Sequence, residues 1–444
     1  MDVARLNFSH GNHEDHEKRL KLVRAAAERA GRPVAILQDL QGPKIRVGRL
    51  KGGKAILTPG EIVTITTRDM LGAKGIIPTT YAGLPGDVRK GEAVLLNDGR
   101  LRLLVLSVGR TDVKCKVEIG GLLTDQKGIN LPESDVSTSS LTERDVQDAL
   151  FGRDLDVDYM ALSFVRSAED VTALRKVVGP GIPLIAKIEK PQAVDRISEI
   201  AMAADGVMVA RGDLGVELPL ERVPLVQKTC IERTTHEGKL AIVATEMLES
   251  MIESPRPTRA EVSDVANAVL DGTDAVMTSA ETASGKYPIE TVEMMAAVCL
   301  EAEKSYSCEL DADFLNARFT RIDQSIAYGA LFTAYHLRVK AIVALTESGS
   351  TALWMSRHNI DIPLIALTPN LATQRKLALY RNVRTYELPY HSDREYILAN
   401  AEQILLDNHE VQKGDAVVVT WGEPMGQVGG TNALKIVRVG DLVK

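Results

Sequence analysis

The sequence predicts an α/β protein whose main unit is a parallel sheet wrapped by helices, joined to two smaller domains. Three observations lead to this class. Short apolar runs alternate with helix-like stretches through most of the chain, an early stretch rich in β patterns interrupts them, and a second strand-and-helix pattern follows at the end. Alternation of strand and helix is typical of a parallel sheet with right-handed crossovers. With 444 residues the chain is also too long for one hydrophobic core, so roughly two or three domains are expected.

Seven segments share the format of the main unit, an apolar run that ends in polar or charged residues and mostly precedes a helical pattern. They cover residues 3–9, 34–40, 159–164, 184–189, 207–213, 241–246 and 275–281, with predicted helices that include 15–30, 168–178, 192–203 and 220–237. Polar residues at the carboxyl ends of such strands build the active site of a (β/α)8 TIM barrel. Seven strands do not close that barrel. We therefore expect a barrel that lacks its first β/α unit, with that unit placed before residue 1.

An inserted small β-barrel domain is predicted at residues 48–129, which divides the barrel into parts at 1–47 and 130–305. The runs at 48–60, 61–67, 93–97, 101–108 and 113–119 alternate or turn as short strands do. Asp98-Gly99, between two of them, is a hairpin signal. Two interpretations stay open: a lid that excludes water during group transfer, or a decoration without function.

A C-terminal α/β regulatory domain is predicted at residues 306–444, with buried strands at 339–346, 363–367 and 416–420. A run of hydroxyl and glycine residues lies between the first of these strands and a helix predicted to start near Ala352. Hydroxyls and free amides at a helix N-terminus suit an anion, although an ordinary N-cap with a glycine turn uses the same residue types. The candidate effector-binding residues are Thr346, Ser348, Gly349, Ser350 and Thr351.

Bulk composition excludes several classes of protein. A net charge of −7 and a pI near 5.8 disfavour nucleic acid as a partner, and no run approaches the ~20 apolar residues of a membrane span. The four cysteines, Cys115, Cys230, Cys299 and Cys308, show no CxxC spacing. That pattern favours reduced thiols in a cytoplasmic protein over disulfides or a zinc site. An anionic substrate would have to be bound by a local cluster of cations.

One charged group stands out at the ends of two predicted strands. Lys187 and Glu189 lie two residues apart, so they point the same way on an extended strand, and Asp213 ends the next run. Two carboxylates near one ammonium suit a divalent cation beside an anionic substrate, because Mg²⁺ is held by few carboxylates plus phosphate. The alternative is a buried structural ion pair.

Ordered motifs along nearly the whole chain resemble pyruvate kinases. They are ARLNFSHG at 4–11, DLQGPKIR at 39–46, KGINLP at 127–132, AKIEKPQAV at 186–194, VARGDLGVELP at 209–219, TRAEVSDVANAVLDGTDAVM at 258–277 and TNALKIV at 431–437. The resemblance implies phosphoryl transfer from phosphoenolpyruvate to ADP, giving pyruvate and ATP in glycolysis. It also implies Mg²⁺ or Mn²⁺ as cofactor, a phosphorylated allosteric effector and a homotetramer.

The resemblance further implies roles for particular residues. Lys187 corresponds to the catalytic lysine that stabilises the transferring phosphoryl group, and Glu189 and Asp213 correspond to the Mg²⁺ ligands. Thr245 corresponds to the threonine beside the enolate carbon. The remaining implied positions are Arg5 at the phosphate, Gly212 and Asp213 at the substrate carboxylate, and Arg32, Arg46 and Lys127 on the nucleotide side.

The resemblance also implies a monovalent-cation region. Its residues are Asn7, Ser9, Asp39, Leu40 and Lys44. Most pyruvate kinases that this chain resembles have glutamate where Lys44 stands and use K⁺. In a bacterial branch, whose Gln41 and Val47 equivalents also match, the lysine ammonium is thought to replace the cation. We therefore expect that K⁺ is not required.

Three departures from the family pattern keep alternatives open: the absent first unit, Glu246 where glutamine is usual, and Thr278 where leucine is usual. A carboxylate at Glu246 close to the metal would raise its own pKa or weaken anion binding, and a hydroxyl at Thr278 needs a partner. One alternative is a truncated or degenerate homologue that binds ligand with little turnover. Another is a different metal-assisted barrel enzyme that acts on phosphoenolpyruvate or a related enol acid.

Overall fold

The main unit is a curled sheet of seven parallel strands in chain order. The structure, a computed structural model, describes residues 1–305, 318–391 and 393–441. The strands are Val3–Asn7, Ala35–Asp39, Tyr159–Leu162, Leu184–Ile188, Gly206–Ala210, Leu240–Ala244 and Ala275–Met277. Within the described residues, the first and last of these each pair with one neighbour only. The predicted seven-stranded sheet of a barrel-type α/β fold is confirmed.

Helices cover the outer face of this sheet. They are His13–Ala30, Glu143–Asp154, Ala168–Val178, Pro191–Asp195, Ile197–Ala203, Arg211–Glu217, Val223–His236, Arg259–Leu270, Ala280–Ala283 and Pro288–Glu303, with single 3₁₀ turns at Leu220–Arg222 and Glu249–Ile252. Capping boxes fix where several begin: the Asn12 side chain accepts from the Asp15 amide at 2.9 Å, and the Asp15 carboxylate accepts from the Asn12 amide at 3.3 Å. Such reciprocal bonds satisfy amides that a helix start otherwise leaves unpaired.

The strands are mostly apolar, with polar residues toward their carboxyl ends, as expected for a sheet with both faces buried. Every residue of Ala35–Asp39, Leu184–Ile188 and Gly206–Ala210 is buried. Side chains alternate in direction along a strand, so one set packs against the helices and the other set forms a separate inner cluster. Leu379 of the C-terminal domain belongs to that inner cluster, with Leu353 and Tyr380 packed against it.

The insert, which lies in sequence between the second and third strands of the main sheet, has its own hydrophobic core. Its six-stranded sheet has the order Ile129–Asn130, Ala93–Leu96, Leu101–Val108, Asp112–Ile119, Ile62–Thr66, Ile76–Pro78, and a two-stranded sheet pairs Lys54–Leu57 with Gly121–Thr124. A 3₁₀ turn at Lys51–Gly53 and a short helix at Leu84–Asp87 complete it. The predicted hairpin at Asp98-Gly99 is confirmed: the flanking strands pair antiparallel, and both residues have positive φ.

The C-terminal domain is a five-stranded sheet with helices on both faces. The strand order is Val383–Glu387, Leu364–Thr368, Ala341–Leu345, Ala416–Gly422, Thr431–Arg438, the last antiparallel, and the helices are Ile322–Leu337, Ser350–Ser356, Leu371–Leu377 and Arg394–Asp407. A buried ion pair between Arg357 and Asp274 joins it to the barrel, and Arg357 also donates to the Lys239 carbonyl at 2.6 Å.

Some predicted bounds differ from the structure. The run at 207–213 was expected to be one strand, but the strand ends at Ala210 and residues Arg211–Glu217 form a short helix. Two glycines within this helix and the Leu-Pro sequence after it limit the helix to seven residues. The helix expected at 192–203 is two helices separated at Arg196. The domain bounds stay a prediction; the one at residue 306 and Cys308 lie outside the described residues.

None of the helices in the described ranges is long and apolar enough to cross a membrane.

Candidate active site

The candidate site lies where the inner face of the sheet reaches the carboxyl ends of its strands. Inner-face positions alternate along each strand, for example Leu37 and then Asp39, or Ile185 and then Lys187. Each strand is apolar deep in the sheet and polar at its end, so the alternation that builds the core also aims the polar groups at one another.

Lys187 is the centre of this cluster. Its ammonium lies 2.8 Å from a Glu189 carboxylate oxygen and 3.2 Å from an Asp39 oxygen, and it donates to the Ser163 hydroxyl at 2.8 Å. Burial alone would lower the pKa of Lys187, but the carboxylates of Asp39 and Glu189 outweigh burial and raise that pKa. Lys187 is therefore a fixed positive charge at neutral pH, not a base.

Arg5 adds a second cation, from the strand Val3–Asn7 that pairs with the strand of Asp39. Its guanidinium contacts one Asp39 oxygen through Nε at 2.7 Å and Nη2 at 2.6 Å. Burial would raise the pKa of Asp39, yet Lys187 and then Arg5 outweigh it and hold the pKa below its ordinary value. Asn7 follows on the same strand and its side chain accepts from the Ser9 amide at 3.1 Å. Arg5, Asn7, Ser9, Asp39 and Leu40 thus lie together at one end of two paired strands.

Glu189 and Asp213 form the candidate metal site. Burial raises the pKa of Glu189, and the carboxylate of Asp213 raises it further against the opposing effect of Lys187. A carboxylate oxygen has two lone pairs, so the bonds that Glu189 accepts from Lys187 and the Phe164 amide leave positions for a cation. Among the described residues no three His, Cys, Asp or Glu side chains form a metal cage. Mg²⁺ takes few protein carboxylates and completes its shell with phosphate and water, so the two carboxylates of Glu189 and Asp213 suit it.

Thr245 lies beside Gly212 in a conformation that few residues adopt. Thr245 and Glu246 have φ values of 72° and 54°, a left-handed backbone that is costly outside glycine and is found at functional sites. The Thr245 hydroxyl accepts from the Gly212 amide at 2.7 Å. The amide expected to hold the substrate carboxylate is therefore already bonded to the threonine. Arg211 clamps this turn by donating to the Thr245 carbonyl at 2.7 Å.

A groove of about 470 Å³ separates the root of the insert from the barrel. Lys44 lines it, and its ammonium is 3.8 Å from an Asp213 oxygen. Arg166 and Lys190 line it as well. Lys190 is paired with Glu217 and Lys44 lies near Asp213, so within the described residues Arg166 supplies the positive charge of the groove beyond those two pairs.

The nucleotide-side residues divide into two groups. Arg46 and Lys127 lie on the two segments at the root of the insert, where the Arg46 guanidinium donates to the Gln126 carbonyl at 3.0 Å. Arg32 is not brought to the site, contrary to expectation: it is exposed and pairs with Asp2 at 2.9 Å, at the amino-terminal end of the sheet. The loop before a barrel strand opens at the opposite end from the carboxyl-end site, which is the physical reason.

The candidate effector-binding residues lie at or next to a separate cavity in the C-terminal domain. It encloses about 580 Å³, open solvent at its mouth included, and Thr346, Ser348 and Ser350 line it. Gly349 forms the turn, with φ of 84° and its amide bonded to the Thr346 hydroxyl at 2.9 Å. Thr351 is buried instead, with its hydroxyl 2.7 Å from that of Thr431. The described lining offers hydroxyls, amides and the carboxylate of Glu347, but no Lys, Arg or His side chain.

The two substituted positions are accommodated. Glu246, expected close to the metal, is exposed, and its charge is felt at Glu249, whose pKa is raised by burial and then by Glu281 and Glu246. The Thr278 hydroxyl has the partner it needs, the Thr282 hydroxyl at 3.0 Å.

Sequence reasoning missed residues that support the site. Ser163 links Lys187 to the Leu40 carbonyl, which it contacts at 2.7 Å. It stands two residues beyond inner-face Ala161, so the strand alternation could have found it. Glu217 and Lys190 form a buried pair at 2.5 Å for which no sequence signal existed.

Fold and site together define a barrel enzyme that sets buried cations and paired carboxylates at the carboxyl ends of its strands. The pyruvate kinase barrel-domain model matches residues 1–292, and the pyruvate kinase alpha/beta-domain model matches residues 324–437. The chain belongs to the pyruvate kinase family.

Individual relatives agree with the family models. A pyruvate kinase of Corynebacterium glutamicum is 46% identical over 99% of this chain and 93% of its own length. One of Geobacillus stearothermophilus is 43% identical over 100% of this chain and 77% of its own. A crystal structure of a pyruvate kinase from Cryptosporidium parvum has a TM-score of 0.93 at 37% identity, covering 99% of this chain and 91% of that one.

Proposed function

We propose that this chain transfers the phosphoryl group of phosphoenolpyruvate to ADP, giving pyruvate and ATP. In this reaction the bond between phosphorus and the enol oxygen breaks, and a terminal phosphate oxygen of ADP bonds to phosphorus. The enolate left behind takes a proton at its methylene carbon. The proposal rests on the buried Lys187 between Asp39 and Glu189, with Asp213 close enough to Glu189 to raise its pKa, in a member of this family.

The chemistry asks for charge neutralisation more than for covalent help, because phosphoryl transfer is mostly positioning and electrostatic stabilisation. Lys187 and Arg5 supply two positive charges beside the transferring group. Thr245, held against Gly212, would act at the enolate and its proton. Arg46 and Lys127, with the cations of the groove, would bind the nucleotide phosphates.

Glu189 and Asp213 would hold the Mg²⁺ or Mn²⁺ ion. The ion supplies charge stabilisation and a template for the phosphate oxygens. Burial and then the Asp213 carboxylate raise the pKa of Glu189, and a cation held by both carboxylates would offset their mutual repulsion. When the metal ion and the substrate are both bound, the Lys187 ammonium would turn from Glu189 toward the substrate phosphate.

Further parts of the proposal concern regulation and assembly. Lys44 takes the place of K⁺, since its charge already lies 3.8 Å from Asp213 and a second cation there would be repelled. A phosphorylated effector binds through Thr346, Ser348 and Ser350. The chain assembles as a homotetramer, and light scattering would measure its mass in solution. A cytoplasmic location stays a prediction, based on the four cysteines that show no disulfide or zinc spacing.

A coupled assay for pyruvate tests the central proposal. Pyruvate should form only when phosphoenolpyruvate, ADP and a divalent cation are all present. Thr245→Ala should lower turnover strongly, whereas Thr235→Ala, whose hydroxyl bonds only within its own helix, should not. Ligand binding without pyruvate formation would favour the degenerate homologue instead. Pyruvate formation without ADP would indicate a different barrel enzyme.

A further inference from the structure

A buried carboxylate outside the reacting cluster connects three segments of the chain. Glu217 is only 5% exposed. One of its oxygens accepts from the Lys190 ammonium at 2.5 Å and from the Asn130 side-chain amide at 2.8 Å. The other oxygen is also buried and takes no hydrogen bond from any described residue. Lys190 and Asn130 are therefore the described residues whose side chains hold the Glu217 carboxylate.

Each of these residues belongs to a different part of the site. Lys190 directly follows the candidate metal ligand Glu189. Glu217 ends the short helix Arg211–Glu217 that carries Asp213 in its first turn. Asn130 lies in the strand Ile129–Asn130, through which the insert returns to the barrel. One carboxylate thus joins the segments of both candidate metal ligands to the root of the insert.

A second contact supports the same connection. Gly99, in the hairpin of the insert, lies next to Val216 of that helix: a β-carbon on Gly99 would be 3.4 Å from the valine, an ordinary contact distance. The insert therefore meets the helix at two successive residues, through packing at Val216 and a hydrogen bond at Glu217.

We propose that Glu217 is a positioning residue that fixes the separation of Glu189 and Asp213 and ties it to the position of the insert. Parting the two segments would leave a buried carboxylate or ammonium without its partner, which is costly in a protein interior. The two ligand segments and the insert root therefore move as one body. This inference depends on the proposed metal role of Glu189 and Asp213.

Binding of Mn²⁺ in the absence of substrate, monitored by electron paramagnetic resonance, directly measures the effect of Glu217 on the affinity of the metal site. Glu217→Gln keeps the shape and an acceptor for Asn130 but removes the charge that holds Lys190. Loss of groups that orient metal ligands weakens binding by roughly 10- to 100-fold, and we expect about tenfold here. The exchanged pair Lys190→Glu with Glu217→Lys should recover part of the affinity. The matched control is Glu410→Gln in the C-terminal domain, a carboxylate held by Arg384 at 2.7 Å and Tyr386 at 2.5 Å.

The outcomes separate this inference from the proposed function. If Glu189→Gln leaves Mn²⁺ binding unchanged, the metal assignment itself is wrong. If Glu189→Gln abolishes binding while Glu217→Gln behaves like Glu410→Gln, only the positioning role is overturned. Asn130→Ala keeps the ion pair between Lys190 and Glu217, so this variant can test the proposal if Glu217→Gln does not fold. It should speed amide hydrogen exchange in residues 127–131, and unchanged exchange there would refute the tie to the insert.

Discussion

Replacement of Lys187 by methionine tests the electrostatic account of the site most directly. Methionine has similar length and no charge, so the carboxylates of Asp39 and Glu189, each about 1% exposed, would lose a cation at 3.2 and 2.8 Å. Removing one partner of a buried ion pair costs about 3–5 kcal/mol of unfolding free energy. Arg5 still neutralises Asp39 in part, which places the expected loss at the lower end of that range.

The pH at which this cost is measured follows from the pKa directions. The pKa of Lys187 is raised, so its stabilising effect is complete below the unfolded value of about 10.4 and is lost as pH rises through the folded value. The pKa of Asp39 is lowered, so its contribution is present above about 3.9 and is lost as pH falls through the folded value. Urea unfolding at pH 7 therefore measures the full effect of Lys187→Met.

Activity should fall much further than stability alone explains. Removing a cation that stabilises a transferring phosphoryl group lowers turnover by roughly 10³- to 10⁵-fold. The double variant Lys187→Met with Glu189→Gln removes the unpaired charge and should regain stability without regaining pyruvate formation. The reasoning is refuted if Lys187→Met turns over within tenfold of the parent, or if its unfolding free energy is unchanged.

Four further predictions test other parts of the account. Asp213→Ala should lower Mg²⁺-dependent turnover by several orders of magnitude with a nearly unchanged melting temperature, because that side chain is 34% exposed; turnover close to the parent rate would contradict the metal assignment. In tetramethylammonium buffer free of Na⁺ and K⁺ the parent should need no K⁺, whereas Lys44→Glu should become K⁺-dependent; strong stimulation of the parent by K⁺ would overturn this. Ser350→Ala should weaken binding of sugar monophosphates or AMP in calorimetry, and a parent that gives no heat and no change in substrate saturation has no such site. Burial raises the pKa of Cys115 and Cys230 to about 12, so stability should fall as pH rises above about 8.5, where only the unfolded thiols ionise; labelling of the native thiols by iodoacetamide at peptide-like rates would disprove their burial.

The buried parts of the fold were predictable because their signal is local. An apolar run that ends in charge indicated both the strand Leu184–Ile188 and the meeting of Lys187 with Glu189, now seen at 2.8 Å. The half-exposed strand Val383–Glu387 was missed because charged residues interrupt it. In the same way, the helix around Asp213 was mistaken for the end of a strand, since a seven-residue helix that begins Arg-Gly-Asp lacks the periodicity of a longer one.

Contacts between distant segments were not predictable, and they determine much of the site. Nothing local to Glu217 indicates that it meets Lys190 and Asn130, because those residues are 27 and 87 positions away. The expected position of Arg32 on the nucleotide side was not found for a related reason: a position in the sequence does not say at which end of the sheet a loop lies. Its partner Asp2 precedes the first strand, which places both residues away from the carboxyl ends.

The cavity in the C-terminal domain is physically connected to the strand that leads to Thr245. The helix Ser350–Ser356 begins at this cavity and is followed at once by Arg357, whose buried ion pair with Asp274 lies next to the start of the strand Leu240–Ala244. Asp274 accepts from the Ala241 amide at 2.9 Å, so the pair is fixed to that strand. Breaking a buried pair costs about 3–5 kcal/mol, whereas allosteric coupling is typically about 1–3 kcal/mol. Any coupling along this route therefore works by displacing the intact pair together with the strand, since an effector does not supply enough free energy to separate Arg357 from Asp274.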